Sequence, residues 1–185
     1  MRITGGTLAG RTVRVPPGVI RPAMDRMRES YFSILGPLDG TSFLDLFSGS
    51  GIIALEAISR GARPVTLVER DRGKRRVIAE NLEIAPFAPR VVIAPVEAFI
   101  ARERFAYDVV FLDPPFDYRH KADLLGRIAR GPLLAPNARM LIHYPDSDTL
   151  PDTVGAVTVE DERAYGRSTL RIYRRTADSA AQDES

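Results

Sequence analysis

The chain has 185 residues, 44% hydrophobic and 27% charged, with a formal net charge of +2 and no cysteine. Such a composition fits one globular domain that buries roughly 70% of its unfolded surface. It excludes disulfides and thiolate metal sites. No apolar run approaches the ~18 residues of a membrane span, and no secretory leader pattern opens the chain, so a soluble, cytoplasmic protein is expected.

Two short strands, Arg2–Thr4 and Arg11–Val15, with Gly5, Gly6 and Gly10 between them, predict an N-terminal hairpin. Pro16-Pro17-Gly18 breaks the chain, and Arg21-Pro22 is a further extended or turn dipeptide. Met24, Met27, Tyr31, Ile34 and Leu35 recur at helical spacing, which predicts an amphipathic helix over 24–35. Residues 1–36 thus read as an appendage to a main domain over 37–175.

From residue 42 strands and helices alternate. Strands are predicted at 43–47, 65–69, 90–94, 107–113 and 139–143, with helices up to Ser59 and over 72–84, 96–103 and 120–130. Two closing strands, 156–160 and 168–173, turn around Tyr165-Gly166. The pattern implies an α/β fold with a mostly parallel, seven-stranded sheet and helices on both faces. The polar, acidic stretch 176–185 predicts disorder.

Charge is unevenly placed. Six arginines lie in residues 1–36 (Arg2, Arg11, Arg14, Arg21, Arg26 and Arg28), and 24 of the 26 basic residues are arginine. The guanidinium fork suits phosphates and stacks on bases, so Arg11, Arg14, Arg21, Arg26 and Arg28 are candidate nucleic-acid contacts.

The first strand runs into Asp45-Leu46-Phe47-Ser48-Gly49-Ser50-Gly51. Glycines at a strand-to-helix turn let the backbone approach a ligand, and the helix N-terminus offers free N–H groups. Gly49-x-Gly51-x-x-Ala54 fits a dinucleotide fingerprint, and Glu69 at the second strand's end can take both hydroxyls of a ribose. An adenosine-containing cofactor is therefore expected, with Asp45, Phe47, Gly49, Ser50, Gly51, Glu69 and its neighbour Arg70 around it. Asp45 would repel a pyrophosphate but attract an ammonium and a sulfonium, which favours S-adenosylmethionine over NAD. The adenine is expected near Val96 and Glu97.

Asp113-Pro114-Pro115-Phe116 ends the fourth strand, on the same rim of a doubly wound sheet. An exocyclic base nitrogen is a poor nucleophile because its lone pair is delocalised into the ring. Asp113 can accept one N–H, and a proline-fixed carbonyl, that of Pro114, the other. Pro114 and Pro115 stiffen the segment, and Phe116 can stack a base that has left its own stack. No metal is needed. His120 and His143 lack partners for a metal site and read as an exposed and a strand-end histidine. No Gly-x-Ser-x-Gly elbow is present, so a hydrolase is disfavoured.

The combination of Arg2-Ile3-x-Gly5-Gly6, Gly10-Arg11, Arg21-Pro22, Asp25-Arg26-x-Arg28-Glu29, the glycine loop, Glu56-Ala57-x-Ser59-Arg60-Gly61-Ala62 and Asp113-Pro114-Pro115-Phe116 resembles the bacterial 16S rRNA guanine-N2 methyltransferase family, RsmD. The resemblance runs through residues 1–130 and reaches about 175. It departs at Ala23-Met24, where the family usually has threonine and a small polar residue, and at Pro95, where a polar residue is usual. It implies a seven-stranded Rossmann-like S-adenosylmethionine methyltransferase that releases S-adenosylhomocysteine. It also implies methylation of guanine N2 in 16S rRNA or the small ribosomal subunit, by an enzyme expected to be monomeric. The competing readings are a DNA adenine-N6 methyltransferase, which would lack its usual target-recognition domain, and a nicotinamide oxidoreductase.

Overall fold

A computed structural model describes residues 1–15 and 22–176. Arg21 and the acidic tail beyond Thr176 lie outside the described residues. The chain forms two compact units, Met1–Val96 and a second beginning at Glu97.

In the first unit, β1 (Phe43–Leu46), β2 (Val65–Glu69) and β3 (Arg90–Ile93) run parallel in the order β3-β2-β1. Every residue of β1 and β2 is buried, as expected of strands covered on both faces. β3 is exposed or half-buried throughout, as suits its place at the sheet edge. The connecting helices are α2 (Ile52–Ser59) and α3 (Arg75–Leu82), the latter preceded by a 3-10 turn at Arg72–Lys74. Helix α2 is buried along its whole length. Phe43, Leu44, Leu46, Leu55, Leu67 and Val68 are essentially inaccessible, and full burial of such a side chain is worth roughly 1.5–3 kcal/mol.

Helix α1 (Pro22–Leu35) starts two residues before its expected position, because proline's fixed φ and missing N–H suit the first helical turn. The predicted N-terminal hairpin is present as a single antiparallel bridge, Arg2 to Thr12, with Ile3 N–H to the Arg11 carbonyl and Val13 N–H to the Met1 carbonyl. This segment packs on the helices of its own unit. Leu8 N–H donates to Ser59 Oγ, and Asn81 exchanges two hydrogen bonds with the Arg14 backbone. Gly6 has φ +76°, and a Cβ there would lie 1.9 Å from the Ser59 carbonyl oxygen, so the close approach requires glycine.

A buried ionic knot ties together three of the motif blocks. Glu56, wholly inaccessible, accepts from Arg28 Nε at 2.7 Å, from Thr4 N–H at 2.8 Å, from Thr4 Oγ1 at 3.0 Å and from Arg60 Nη1. Arg28 Nη2 also reaches the Arg2 carbonyl. The sequence places Arg28 among the nucleic-acid contacts, and the structure corrects this. Arg28 is 2% exposed and committed to the knot, so its charge serves the fold.

The second unit orders its strands β4-β5-β8-β7-β6, as β4 (Tyr107–Leu112), β5 (Leu134–Pro145), β6 (Thr153–Val154), β7 (Val157–Tyr165) and β8 (Ser168–Arg175). The β4–β5 pair is parallel and the others antiparallel. Helix α5 (Lys121–Arg130) joins β4 to β5, and α4 (Val96–Arg102) leads out of the first unit. β7 and β8 meet at the predicted Tyr165-Gly166 turn, with Gly166 at φ +64°. The described residues hold eight strands where the sequence implies seven. The extra one, β6, is a two-residue edge strand with too short a pattern to register. β5 is also longer than 139–143. Its start is hidden by Pro136 and by Asn137 at φ +61°, where the pairing shifts from Tyr107–Leu134 to Val109–Arg139 in a bulge.

Candidate active site

The glycine loop follows β1 and opens α2. Asp45 is fully buried beneath it, its Oδ2 accepting from Ser48 Oγ at 2.6 Å and Ala54 N–H at 3.2 Å. The carboxylate thus organises the loop from below, and any action on a ligand is through space. Phe47, Gly49 and Gly51 all have positive φ, +64°, +60° and +81°. The two glycines answer different needs. A Cβ on Gly51 would meet Leu67 Cδ2 at 3.3 Å, so Gly51 permits tight packing. A Cβ on Gly49 would meet only the Phe47 carbonyl oxygen, at 4.0 Å, so open space lies before it. Ser50 is buried, and its carbonyl accepts from Asn81 Nδ2 at 2.8 Å.

Glu69 closes β2 and turns to this loop. Its Oε2 accepts from Gly49 N–H at 2.9 Å and faces Lys74 Nζ at 3.3 Å, while Oε1 accepts from Asp71 N–H at 2.9 Å. Each carboxylate oxygen accepts more than one hydrogen bond, so these contacts orient Glu69 without exhausting it. A buried carboxylic group, an open glycine face and an oriented carboxylate fit a cofactor with ribose hydroxyls and a cationic tail. They do not fit a pyrophosphate. Arg70, the next residue, is exposed.

In the second unit, the segment after β4 is held on several sides. Asp113 Oδ1 lies 2.9 Å from His143 Nδ1 on β5, and the His143 ring meets Phe116 edge to face, centroids 5.4 Å apart. Pro114 is buried, Pro115 exposed and Phe116 half-buried, so the aromatic retains reachable surface. Tyr118 N–H closes a turn onto the Pro115 carbonyl at 2.9 Å. Lys121, 3% exposed, donates to the Phe116 carbonyl at 2.9 Å and the Tyr118 carbonyl at 2.6 Å, and pairs with Asp148 at 2.7 Å.

Tyr118 also donates its hydroxyl to Glu97 Oε1 at 2.6 Å. Burial, then this hydrogen bond, raises the phenol well above its ordinary pKa and keeps it a donor. Val96 is buried at the start of α4, and the Glu97 carbonyl accepts from Arg127 at 3.2 Å. Arg11 and Arg26 are exposed. Arg14, with 77% of its side chain exposed, pairs with Glu80 at 2.9 Å.

Sequence reasoning does not single out Lys121, Tyr118 or Asn81, and gives His143 no task. One signal is there to be read. In a chain of 24 arginines the two lysines stand apart, and Lys74 and Lys121 each lie in a candidate site region. A compact ammonium reaches two carbonyls that a guanidinium would overfill. Replacing Lys121 by Met removes both hydrogen bonds. The variant is expected to lower the turnover number about tenfold or more through a looser segment, and to cost about 1–3 kcal/mol of stability from unpaired carbonyls. Steady-state kinetics with a parallel thermal melt measure the two effects.

Parallel β1 to β3, a glycine loop opening α2 and a proline-stiffened acidic segment after β4 define a Rossmann-like methyltransferase fold. The solved structure of yhhF from Escherichia coli matches it with a TM-score of 0.85 at 33% identity, over 96% of this chain and 98% of that one. A Thermus thermophilus structure matches at 0.80 and 31% identity, over 93% and 98%. The chain belongs to the family described as Conserved hypothetical protein 95, which it matches over residues 1–174. Among curated proteins, Ribosomal RNA small subunit methyltransferase D of Escherichia coli is 33% identical over 181 residues, 96% of this chain and 91% of that protein.

Proposed function

We propose that this protein transfers a methyl group from S-adenosylmethionine to the exocyclic N2 of one guanine in 16S ribosomal RNA. The observation that carries the reading is Asp113-Pro114-Pro115-Phe116 immediately after β4, its acid held by His143. The similarity along nearly the whole chain to a protein named for small-subunit ribosomal RNA supports the choice of substrate.

S-adenosylmethionine, when bound, supplies a methyl group made electrophilic by a sulfonium and needs no metal. Gly49 gives it an open backbone face, and Glu69 accepts from its ribose hydroxyls. The buried charge of Asp45 favours its ammonium and sulfonium, and Phe47, Ser50, Gly51 and Arg70 complete the surround. Val96 and Glu97 border the adenine, Glu97 sharing its carboxylate with Tyr118. Asp113 accepts one N–H of the target amine and the Pro114 carbonyl the other. This pair favours a pyramidal nitrogen whose lone pair is available for attack, in a site organised before the base arrives. The proton that the methylated nitrogen sheds passes by way of the Asp113 carboxylate to water. Pro115 keeps the segment rigid and Phe116 stacks the extruded guanine.

Calorimetric titration with S-adenosylhomocysteine and with NADH tests the cofactor. Binding of the first alone is expected, and binding of NADH alone would overturn the reading. Arg11, Arg14, Arg21 and Arg26 are proposed to bind phosphates. Replacing Arg11 and Arg14 by alanine is expected to weaken RNA binding and flatten the salt dependence of log K by roughly 0.7–0.9 for each phosphate no longer neutralised. An unchanged slope would remove these two residues from the interface.

A further inference from the structure

We infer that His143 is a positioning residue for Asp113, an assignment that rests on the proposed methyl transfer. Strand β5 lies parallel to β4 with Ile142 opposite Leu112, so the next residue of each strand, His143 and Asp113, emerge side by side. His143 is 4% exposed and its side chain 5%, against 22% for the side chain of Asp113. On its other edge β5 is paired to β8, where Leu170 lies opposite His143. The backbone at His143 is therefore fixed by strands on both sides, and its imidazole is confined by burial.

Its contacts are with the two groups that must act on one base. Nδ1 meets Asp113 Oδ1 at 2.9 Å, and the ring packs edge to face on Phe116. With Nδ1–H as donor, the hydrogen bond to Oδ1 holds the carboxylate in one rotamer. The carboxylate so oriented keeps acceptor capacity for the amine N–H. A buried ring nitrogen needs a polar partner in any role, and here that partner is the Asp113 carboxylate of the tetrapeptide. Burying an imidazole nitrogen without such a partner is costly. His143 does not touch the reacting atoms and takes no proton from them. It places the group that does.

Two variants separate its contacts. His143→Phe keeps an aromatic ring against Phe116 and removes the nitrogen. His143→Asn removes the ring and keeps an N–H donor near the position of Nδ1. Both are measured for methyl transfer to RNA, RNA KM, S-adenosylhomocysteine affinity and thermal melting. His143→Phe is expected to lower kcat about 10- to 100-fold with KM and cofactor affinity little changed. His143→Asn is expected to recover kcat to within roughly threefold of wild type. A wild-type kcat in His143→Phe, or equal losses in the two variants, would overturn the assignment while the enzyme's function stands. If the wild-type protein itself moves no methyl group to RNA, the proposed function fails and this assignment with it.

Discussion

Asp113→Ala is expected to leave a folded protein that binds S-adenosylhomocysteine as tightly as wild type but transfers methyl groups at least about 10³-fold more slowly. Asp113 lies just after β4, with its side chain 22% exposed and one oxygen against His143. Removing it empties no core position, though it leaves the buried His143 Nδ1 without its partner, so a modest fall in melting temperature accompanies the kinetic loss. What it removes, on the proposed mechanism, is the acceptor for one N–H of the exocyclic amine. The glycine loop, Asp45 and Glu69 belong to the first unit and keep their hydrogen bonds, so cofactor affinity has no reason to change. The loss should therefore appear in kcat and leave the binding isotherm unmoved. Transfer at the wild-type rate would refute the role of Asp113.

Glu56→Ala is the second large effect, and it acts on stability. Glu56 is fully buried and takes Arg28, Arg60, Thr4 N–H and Thr4 Oγ1 onto two oxygens. Its removal leaves the Arg28 guanidinium, 2% exposed, without its carboxylate. Breaking a buried pair on one side costs about 3–5 kcal/mol, a large part of the stability of a domain this size. The melting temperature should fall by roughly 10 °C. The N-terminal segment should loosen with it, since Thr4, Arg2 and α1 meet there. A melt within a degree or two of wild type would mean that the knot contributes little.

Where hydrophobic period and turn chemistry agree, the sequence is read closely. β2 and the turn at Tyr165-Gly166 fall where expected, and β1, β3, β4 and α5 agree to within a residue at one end. The start of β5 escapes because a proline and a left-handed asparagine interrupt its pattern while pairing continues past the bulge. The N-terminal arginines show a different limit. Composition treats a cluster of charge as a surface, and Arg11, Arg14 and Arg26 are exposed. Arg28 is buried because its partner, Glu56, lies on another helix, and no local pattern reports that pairing.

The site divides in the same way. The glycine loop, Glu69 and the Asp-Pro-Pro-Phe segment carry signals within a few residues. The contacts that hold the segment come from His143 on the neighbouring strand and from Lys121 and Tyr118 beyond the tetrapeptide. Sequence spacing tests a histidine only as a metal ligand, and by that test His143 has no task. Its use here depends on strand pairing that brings residue 143 beside 113. Charge alone suggests that Asp45 meets a ligand directly. Burial makes it the organiser of the loop, held there by Ser48 and Ala54.

The central claim is tested most directly by incubating the protein and S-adenosylmethionine bearing a labelled methyl group with 16S ribosomal RNA, free and in small subunits, from cells lacking the corresponding enzyme. The RNA is then digested and its nucleosides separated by mass spectrometry. The account predicts label in N2-methylguanosine, at one mole per mole of RNA, and none with Asp113→Ala. Label in N6-methyladenosine, or equal labelling by wild type and Asp113→Ala, would contradict it.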